Sequence, residues 1–239
     1  MEFGDLGFSL DIGDMSLDFD FADIGDIGPQ RYMRPRASSS PVTENYKNAL
    51  AMARDIRLHE GFRMFSYISG DFIFGDLIEA MSDEGRWWVD AITIQTLSMS
   101  QDNIDSLANV IATDSPSEVK IILSDYWYAH ERGSVNGLVN ELYDKLDIGD
   151  GFHVAFCRTH AKVCTVRTKK GNKIVIHGSA NMRSSGNFEQ VCIEVDSGLY
   201  DFCEGFVDAI IERHDTINHN VGRTRTVSNA ALTEISGAK

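Results

Sequence analysis

The sequence predicts an α/β fold, in which a mixed, largely parallel sheet carries helices on both faces. Apolar stretches of strand length alternate three times with segments whose apolar residues recur at helical spacing, and further strands and a last helix follow. Such alternation implies right-handed crossovers and a sheet that is covered on both sides. A chain of 239 residues with 43% hydrophobic and 24% charged residues is also large enough to bury one core of this kind.

The first strand–helix unit of the predicted domain is preceded by a helix over 43–59, which Thr43 caps and whose apolar residues recur along one face. Strand 62–68 then leads through Ser69-Gly70-Asp71 into a helix with one apolar face, 74–81. This turn lies at a strand-to-helix junction, where open sheets often bind ligands. An ordinary connecting turn explains it equally well.

Two further units repeat this order. Strand 87–95 precedes a helix over 104–111, and the wholly apolar 119–123 is typical of a buried strand. The clearest amphipathic helix covers 135–146. Between these last two elements stands an aromatic cluster: Tyr126, Trp127, Tyr128 and His130. Such side chains either stack nucleic-acid bases or pack at the edge of a core.

The last part of the domain is rich in strands. Strand 152–158 leads into a predicted hairpin whose first arm opens with His160 and whose second arm covers 173–177. Strand 190–195 follows, and 199–211 has the spacing of a helix. The chain then becomes polar, as mobile termini do.

Composition divides the chain into an N-terminal segment, a domain and a C-terminal tail: 1–41, 42–214 and 215–239. Residues 1–28 contain eight acids and no Lys or Arg in a low-complexity acidic-hydrophobic pattern that predicts disorder. Three roles remain open for them: a solubilising tail, a docking segment for a protein partner, or a DNA mimic lying in a basic groove. A basic, Pro/Ser-rich linker, 29–41, joins them to the domain.

The net charge of −14 argues against a uniformly basic nucleic-acid binder, and removing the eight N-terminal acids still leaves −6. Any such site must therefore be a local patch. The region of the hairpin supplies one: Arg158, Lys162, Arg167, Lys169, Lys170, Lys173 and Arg183.

Features that the sequence lacks indicate the cellular compartment that we expect. It has neither eighteen consecutive apolar residues nor a basic leader with an apolar core, so no membrane span and no secretory signal are expected. Its four cysteines have no C-x-x-C spacing, which favours buried free thiols in the cytoplasm. His153 and His177 show no metal-ligand spacing, so neither a metal nor another cofactor is expected.

Residues 160–190, HAKVCTVRTKKGNKIVIHGSANMRSSGNFEQ, carry reactive side chains at both ends of the predicted hairpin. His160 and Lys162 are two apart and leave the same face if they belong to a strand, and Ser179 and Asn181, also two apart, can likewise point one way. An imidazole, an ammonium, a hydroxyl and a carboxamide then surround one point. This set suits a tetrahedral oxyanion such as phosphate.

H-x-K followed by G-S-x-N resembles the HKD signature of the phospholipase D-like superfamily, and the acid in Asn187-Phe188-Glu189-Gln190 lies where that family tends to carry one. The chain is most similar to the single-motif, nuclease-type branch, which includes copies carried by phages and mobile elements. One position departs from the pattern. The family usually has an Asp separated from the Lys by four residues, where this chain has Arg167, and its hairpin is also long for the family.

The resemblance implies a metal-independent phosphodiesterase with a phosphohistidine intermediate. It assigns His160 as the nucleophile or the acid, with Lys162 and Asn181 on the non-bridging oxygens and Ser179 as a supporting donor. Glu189 is then the carboxylate that hydrogen-bonds the imidazole and fixes its tautomer. Because the mechanism needs two motifs and the chain has one, the resemblance also implies a homodimer with one shared site.

DNA is the favoured substrate, since the single-motif branch is nuclease-like and the hairpin is basic. We expect no membrane partner, because no amphipathic segment has a basic face. Six residues are predicted to bind the substrate: Arg158, Arg167, Lys169, Lys170, Arg183 and His177. The alternative is a catalytically weak or inactive module that binds nucleic acid or recruits a partner through its acidic segment.

Overall fold

A computed structural model describes residues 32–33, 49–69, 73–83, 87–131, 137–183, 188–214 and 226–227. Several of the sequence predictions concern residues outside these ranges. They are the acidic segment 1–28, most of the linker 29–41, residues 43–48 of the first helix, Gly70-Asp71, residues 135–136 of the amphipathic helix, and nearly all of the C-terminal tail.

A mixed sheet forms the centre of the described chain. Its strands are β1 (Tyr32–Met33), β2 (Arg63–Ser69), β3 (Val89–Thr96), β4 (Glu118–Ser124), β5 (Phe152–Cys157), β6 (Val163–Thr168), β7 (Lys173–Gly178), β8 (Phe188–Val195) and β9 (Thr226–Val227). Their order across the sheet is β1-β2-β8-β7-β6-β3-β4-β5-β9. The short β1 and β9 come from the linker and the C-terminal tail, where no strand was predicted.

The helices are α1 (Ala49–Asp55), α2 (Phe74–Asp83), α3 (Gln101–Asp114), α4 (Asp125–Glu131), α5 (Leu138–Leu146) and α6 (Ser197–His214). Helix α4 was not predicted, because its seven residues are too few to show an apolar period and coincide with the aromatic cluster. That cluster divides between the core and the surface. Trp127 is 5% exposed and stacks at 6.4 Å on Phe156, whereas Tyr126 is 65% exposed.

The predicted α/β class is confirmed, but the expectation that parallel pairs predominate is wrong. Only β3–β4, β4–β5 and β5–β9 are parallel, and the other five pairings are antiparallel. The crossover helices make the central pairs parallel, as expected. The hairpin and the strand after it then fold back alongside β3 and reverse direction at each step, which the alternation of elements did not reveal.

Helices cover both faces of the sheet, as predicted. Odd-numbered residues of β4, such as Ile121, belong to a core that also contains Met52 of α1, Leu77 of α2, Leu107 of α3 and Leu142 of α5. Even-numbered residues face α6, and Ile122 packs in a smaller cluster with Val207, Ile210 and Ile211. The alternation of side chains along β4 therefore separates two cores. No helix in the described ranges has the length and apolar character needed to cross a bilayer.

Lys120 of β4 lies between the sheet and α6, although it is only 7% exposed. Its Nζ contacts Glu118 at 3.1 Å, Glu204 at 3.2 Å and Asp208 at 2.6 Å. Burial alone would lower the pKa of Lys120, but hydrogen bonds with Asp208 and Glu118 outweigh it and raise the pKa above its ordinary value. The ammonium therefore stays charged and ties α6 to the sheet.

Arg167, which stands where the resembling family has an Asp, is paired with an acid on the neighbouring strand. Its Nε and Nη2 both contact Oδ2 of Asp90 on β3, at 3.0 and 2.9 Å. Ser117 also donates to Asp90, at 2.9 Å. Burial by itself raises the pKa of Asp90, but the hydrogen bonds from Ser117 and Arg167 hold it below its ordinary 3.8. Arg167 thus has a partner that the motif comparison did not reveal.

We expect Asp90→Asn to reduce the free energy of unfolding at pH 7 by about 1 kcal/mol, because the pair is partly exposed. The pKa of Asp90 is lowered in the folded protein, so this contribution is complete above pH 3.8 and is lost as the pH falls through the folded-state value. Urea unfolding of Asp90→Asn, Arg167→Gln and the double variant across pH 2.5–7 measures the coupling energy of the pair. This energy is expected to be about 1 kcal/mol at pH 7. Additive effects of the two substitutions at pH 7 would show that the pair contributes nothing.

Candidate active site

The two halves of the motif meet at one end of the sheet. Strand β5 ends at Cys157 and β6 begins at Val163, with β4 and β3 lying between them in the sheet. The chain must therefore cross roughly 14 Å over the ends of two strands, and the six residue steps between Cys157 and Val163 could span about 20 Å at full extension. This crossing explains why His160 and Lys162 lie in an irregular segment, and the prediction that they belong to a strand is wrong.

His160 and Lys162 are nevertheless brought together. Nζ of Lys162 lies 3.0 Å from Nδ1 of His160 and donates to the backbone carbonyl of His160 at 3.2 Å. An ammonium has hydrogens and no lone pair, so Nδ1 accepts in this contact and the hydrogen of a neutral ring is on Nε2. His160 is exposed. Among the described residues no group contacts the third N–H of Lys162, which leaves it to an incoming oxyanion.

Gly178 allows the second half of the motif to lie against β8. A Cβ at this position would stand 2.0 Å from the carbonyl oxygen of Gln190, so any larger residue forces the two strands apart. On the other side, the Gly178 amide donates to the carbonyl of Lys162 at 3.3 Å. These contacts place the end of β7 between the His160–Lys162 segment and the start of β8.

Ser179 is held from two sides. Its hydroxyl donates to Oε2 of Glu189 at 2.5 Å and accepts from the Gln190 amide at 2.9 Å. Its own amide donates to the Gln190 carbonyl at 2.9 Å. The structure thus brings Glu189 to the site, but it joins Glu189 to Ser179, while Nδ1 of His160 is joined to Lys162. In this arrangement the hydroxyl orients the loop, and its hydrogen is not free for a substrate.

Asn181 is positioned through its neighbour, Met182. The Met182 amide donates to Oγ1 of Thr96 at the end of β3, at 3.1 Å, and its carbonyl accepts from the Ser100 amide at 2.8 Å. Among the described residues, Oδ1 of Asn181 is a buried atom without a hydrogen-bond partner. A buried polar atom left unpaired costs about 1–3 kcal/mol. Because Oδ1 can only accept a hydrogen bond, any contact between Asn181 and an oxyanion would come from its Nδ2 group.

The six predicted substrate-binding residues divide between the two ends and the two faces of the sheet. Arg158 and Arg183 are exposed and flank the motif at its own end, and Nε of Arg158 lies 3.8 Å from Oδ2 of Asp125. Three of the other residues lie at the far end of the sheet and contact other groups. Arg167 pairs with Asp90, Lys169 donates to the Asp114 carbonyl at 2.5 Å, and Nζ of Lys170 lies 5.6 Å from the centre of the Trp88 ring. Strand β6 separates them from His160 by roughly 20 Å. The structure therefore does not bring these three residues to the motif.

His177 lies beside Gly178 but faces the other side of the sheet. Its Nε2 is 2.9 Å from Oε1 of Glu194, and Sγ of Cys192 is 3.8 Å from the same oxygen. Arg63 of β2 donates from Nε to Oε2 of Glu194 at 2.6 Å. Motif reasoning missed this group. The alternation of C-x-E on β8, opposite a histidine on the neighbouring strand, is the signal that would have found it.

Burial and hydrogen bonding shift the pKa values of this second group in opposite directions. Burial, reinforced by the neighbouring carboxylate, raises the pKa of the Cys192 thiol to about 11. For Glu194, burial alone would raise the pKa, but hydrogen bonds from His177 and Arg63 outweigh it and hold the pKa below its ordinary range. Cys192 is thus a thiol and Glu194 a carboxylate near neutral pH.

The motif end of the sheet gathers an imidazole, a cation with one free donor, and an amide with an unused buried atom. Two exposed arginines flank this set. These groups can bind and polarise a tetrahedral oxyanion, and the ring can supply a nucleophile or a proton. In the described part of the chain, no acidic side chain contacts Lys162 or His160.

No protein-family model matches the sequence, and neither does any curated protein. Among solved structures, polyphosphate kinase from Porphyromonas gingivalis matches 61% of this chain and 26% of its own, at 9% identity and a TM-score of 0.43. Phosphatidylserine synthase from Haemophilus influenzae matches 80% and 47%, at 12% identity and 0.42. A yeast tyrosyl-DNA phosphodiesterase matches 54% and 31%, at 13% identity and 0.35. The chain spans less than half of each, and these values do not establish its family.

We expect Gly178→Ala to destabilise the protein by about 1–3 kcal/mol, because its Cβ would meet the Gln190 carbonyl. Gly205→Ala is the matched control. Gly205 lies in α6 with nothing within 4 Å of an added Cβ, so alanine there is expected to raise stability by about 0.5–1 kcal/mol. Chemical unfolding of both variants measures the difference. Equal stability of Gly178→Ala and the unaltered protein would show that the close approach of β7 and β8 is not required.

Proposed function

We propose that the chain is a phospholipase D-like, metal-independent phosphodiesterase that cleaves DNA through a phosphohistidine intermediate, in an active site shared by two copies. The observation that carries the proposal is the convergence of His160, Lys162 and the Ser179–Asn181 loop at one end of the sheet. Their residue types and order are those of the H-x-K and G-S-x-N halves of the motif.

Electrostatics explain why this set suits a phosphodiester. The negative charge of the diester repels nucleophiles, so the site must supply cations and donors before a neutral imidazole can attack. Lys162 retains one N–H for a non-bridging oxygen, and the Asn181 amide contributes a second contact. Arg158 and Arg183 flank the site and are suited to neighbouring phosphates of a nucleic-acid backbone. Because the chain as a whole is acidic, DNA binding in this proposal depends on such a local basic patch.

The proposed reaction has two steps. Nε2 of one His160 forms a bond to phosphorus while the bond from phosphorus to the leaving oxygen breaks, and the second copy's His160 donates a proton to that oxygen. Water, deprotonated by the same second imidazole, then attacks phosphorus and breaks the P–N bond. Because one chain has one motif, two chains must meet at a two-fold axis. The reaction also requires one ring of the pair to be neutral while the other is protonated.

The contact between Lys162 and Nδ1 defines a step that must precede attack. With Nδ1 accepting, the hydrogen of a neutral ring is on Nε2, which then has no lone pair for phosphorus. Substrate binding must draw the ammonium onto the phosphoryl oxygen, so that Nδ1 takes the hydrogen and Nε2 is freed. Glu189 is the carboxylate that would then accept from Nδ1, as the family resemblance assigns, after releasing Ser179.

The proposal also includes the biological origin and the cellular compartment of this activity. A nuclease of the single-motif branch fits a phage or mobile element. The four free thiols fit a reducing cytoplasm, since Cys157, Cys164 and Cys192 are buried and Cys203 is partly exposed. The acidic residues 1–28 remain a candidate docking segment for a protein partner.

A specific observation favours the second candidate, a module that binds nucleic acid without cleaving it. Glu189 hydrogen-bonds Ser179 instead of His160, and Lys162 occupies Nδ1. If these contacts persist with DNA bound, the imidazole cannot attack, while the cations still attract the backbone. The two candidates therefore differ in chemistry and not in binding.

The enzyme is expected to cleave DNA in excess EDTA, and His160→Ala is expected to reduce the rate at least about a thousandfold by removing the nucleophile. His59→Ala is the matched control, because His59 is exposed and lies at the opposite end of the sheet. Single-turnover cleavage and a gel-shift assay are run on the same samples. Shifted but uncut DNA with the unaltered protein would support the binding module and overturn the enzyme.

A purified heterodimer of one unaltered and one His160→Ala chain is expected to be nearly inactive, because each reaction uses both imidazoles. Two affinity tags isolate this species, and a heterodimer of unaltered and His59→Ala chains controls for the tags. Half of the homodimer's activity would instead show that each chain has its own complete site. A stable monomer in sedimentation experiments, active at the same rate per chain, would equally exclude the shared site.

A further inference from the structure

We propose that His177, Cys192 and Glu194 form a binding site for zinc on the face of the sheet opposite the HKD-like motif. This site does not depend on the phosphodiesterase proposal, because none of its residues belongs to the motif loops. The inference comes from the positions of three side chains on two neighbouring strands.

The register of β7 and β8 places the three residues on one surface. His177 is directly opposite Cys192 in the antiparallel pairing, and Glu194 lies two residues further along β8. Side chains alternate along a strand, so Cys192 and Glu194 leave the same face, and His177 leaves it from the neighbouring strand. The imidazole nitrogen, the sulfur and a carboxylate oxygen all lie within 4.8 Å of one another.

Two of the three distances between donor atoms can be compared with those around a tetrahedral ion, and the third, between the imidazole nitrogen and the sulfur, is no more than 4.8 Å. Zinc bonds of about 2.3 Å to sulfur and 2.0–2.2 Å to nitrogen and oxygen put sulfur about 3.6 Å from oxygen and nitrogen about 3.4 Å from oxygen. Sγ of Cys192 is 3.8 Å from Oε1 of Glu194, and Nε2 of His177 is 2.9 Å from it. Binding therefore needs the imidazole to retreat by about 0.5 Å, which a side chain that is 38% exposed can do.

The donor set selects the class of ion. A thiolate and an imidazole suit zinc and similar soft or borderline ions, whereas magnesium and calcium require oxygen ligands. Three protein ligands leave the fourth tetrahedral position to water, and the exposed edge of His177 provides access to solvent. Cys192 and Glu194 are buried at 6% and 7% exposure, so two of the donors are fixed by packing.

Arg63 supplies the outer support that metal sites commonly have. Its guanidinium donates to Oε2 of Glu194 from Nε at 2.6 Å, and its Nη2 contacts the same atom. Oε1 is thereby turned toward His177 and Cys192, in the orientation in which it would coordinate an ion. Zinc binding would release the Cys192 thiol proton to solvent, and the resulting thiolate and the Glu194 carboxylate would then offset the two charges of the ion.

The position of the site implies that bound zinc would stabilise the fold. The ion would join β7 to β8 immediately beside Gly178, where the two backbones approach most closely. A ligand that binds only the folded state stabilises it by mass action, so zinc is expected to raise the thermal midpoint. Since the ion lies on the face opposite the motif, it takes no part in the proposed chemistry.

The test is a zinc titration of the full chain after dialysis against chelator, followed by calorimetry and by metal analysis of the dialysed complex. We expect one zinc per chain. Cys192→Ser and His177→Gln are each expected to weaken binding at least about tenfold. Cys203→Ser is the matched control, because this partly exposed thiol lies in α6 and is not one of the three clustered residues. Circular dichroism establishes that each variant is folded.

Cobalt provides an independent readout, because a Co²⁺–thiolate bond gives a charge-transfer absorption that carboxylate and imidazole ligands do not. This absorption is expected in the unaltered protein and in Cys203→Ser, and it is expected to be absent in Cys192→Ser. Failure of the folded, chelator-treated protein to bind zinc would overturn the proposal. Equal zinc affinity of the unaltered protein and folded Cys192→Ser would do so as well, and would leave the three residues as a hydrogen-bonded group with Arg63.

Discussion

The close approach of β7 and β8 at Gly178 is the constraint on which the candidate site depends. The absence of a side chain there lets the Gln190 carbonyl lie where a Cβ would otherwise be, and Ser179 then exchanges hydrogen bonds with the Gln190 backbone. The motif loop leaves β7 at a fixed angle as a result. Met182 continues this path by bonding to the end of β3, so Asn181 is held between two anchored points. The geometry of the site is therefore set by backbone contacts more than by the reactive side chains themselves.

Strand β7 presents different chemistry on its two faces. Gly178 and the loop after it serve the motif end, whereas His177, one residue earlier, points to the opposite face and joins Cys192 and Glu194. Alternation along one strand is enough to separate the two groups by the thickness of the sheet. Charged side chains elsewhere in the fold are also paired at a distance from the motif. Lys120 holds α6 to one face, and Arg167 is paired with Asp90 at the far end, so neither competes for a ligand at the motif.

The sequence predicted much of this arrangement because strong signals marked it. The apolar period of the helices and the wholly apolar 119–123 gave the α/β class, and helices on both faces followed from it. The H-x-K and G-S-x-N pairs identified side chains that the fold brings to one end of the sheet. These are local patterns, and the tertiary contacts of the described residues agree with them.

What the sequence missed depends on pairing between distant strands. The reversal of β6, β7 and β8 makes most pairings antiparallel, and no local period encodes that choice. The extended strand β6 separates Arg167 and Lys169 from His160 by about the length of a strand, so a basic patch in sequence is divided in space. Asp90 as the partner of Arg167, and Cys192 and Glu194 as neighbours of His177, likewise arise only from register. Lys162 on Nδ1 of His160 is a side-chain geometry that motif spacing does not determine.

The central claim is that His160 attacks phosphorus. The most direct measurement is to mix the protein with labelled DNA, quench under alkaline conditions that preserve P–N bonds, and locate the label by mass spectrometry of the digested chain. The account predicts a phosphoramidate-linked nucleotide on the peptide that contains His160. Cleavage that proceeds without any trapped adduct, or with an adduct on a different residue, would contradict it.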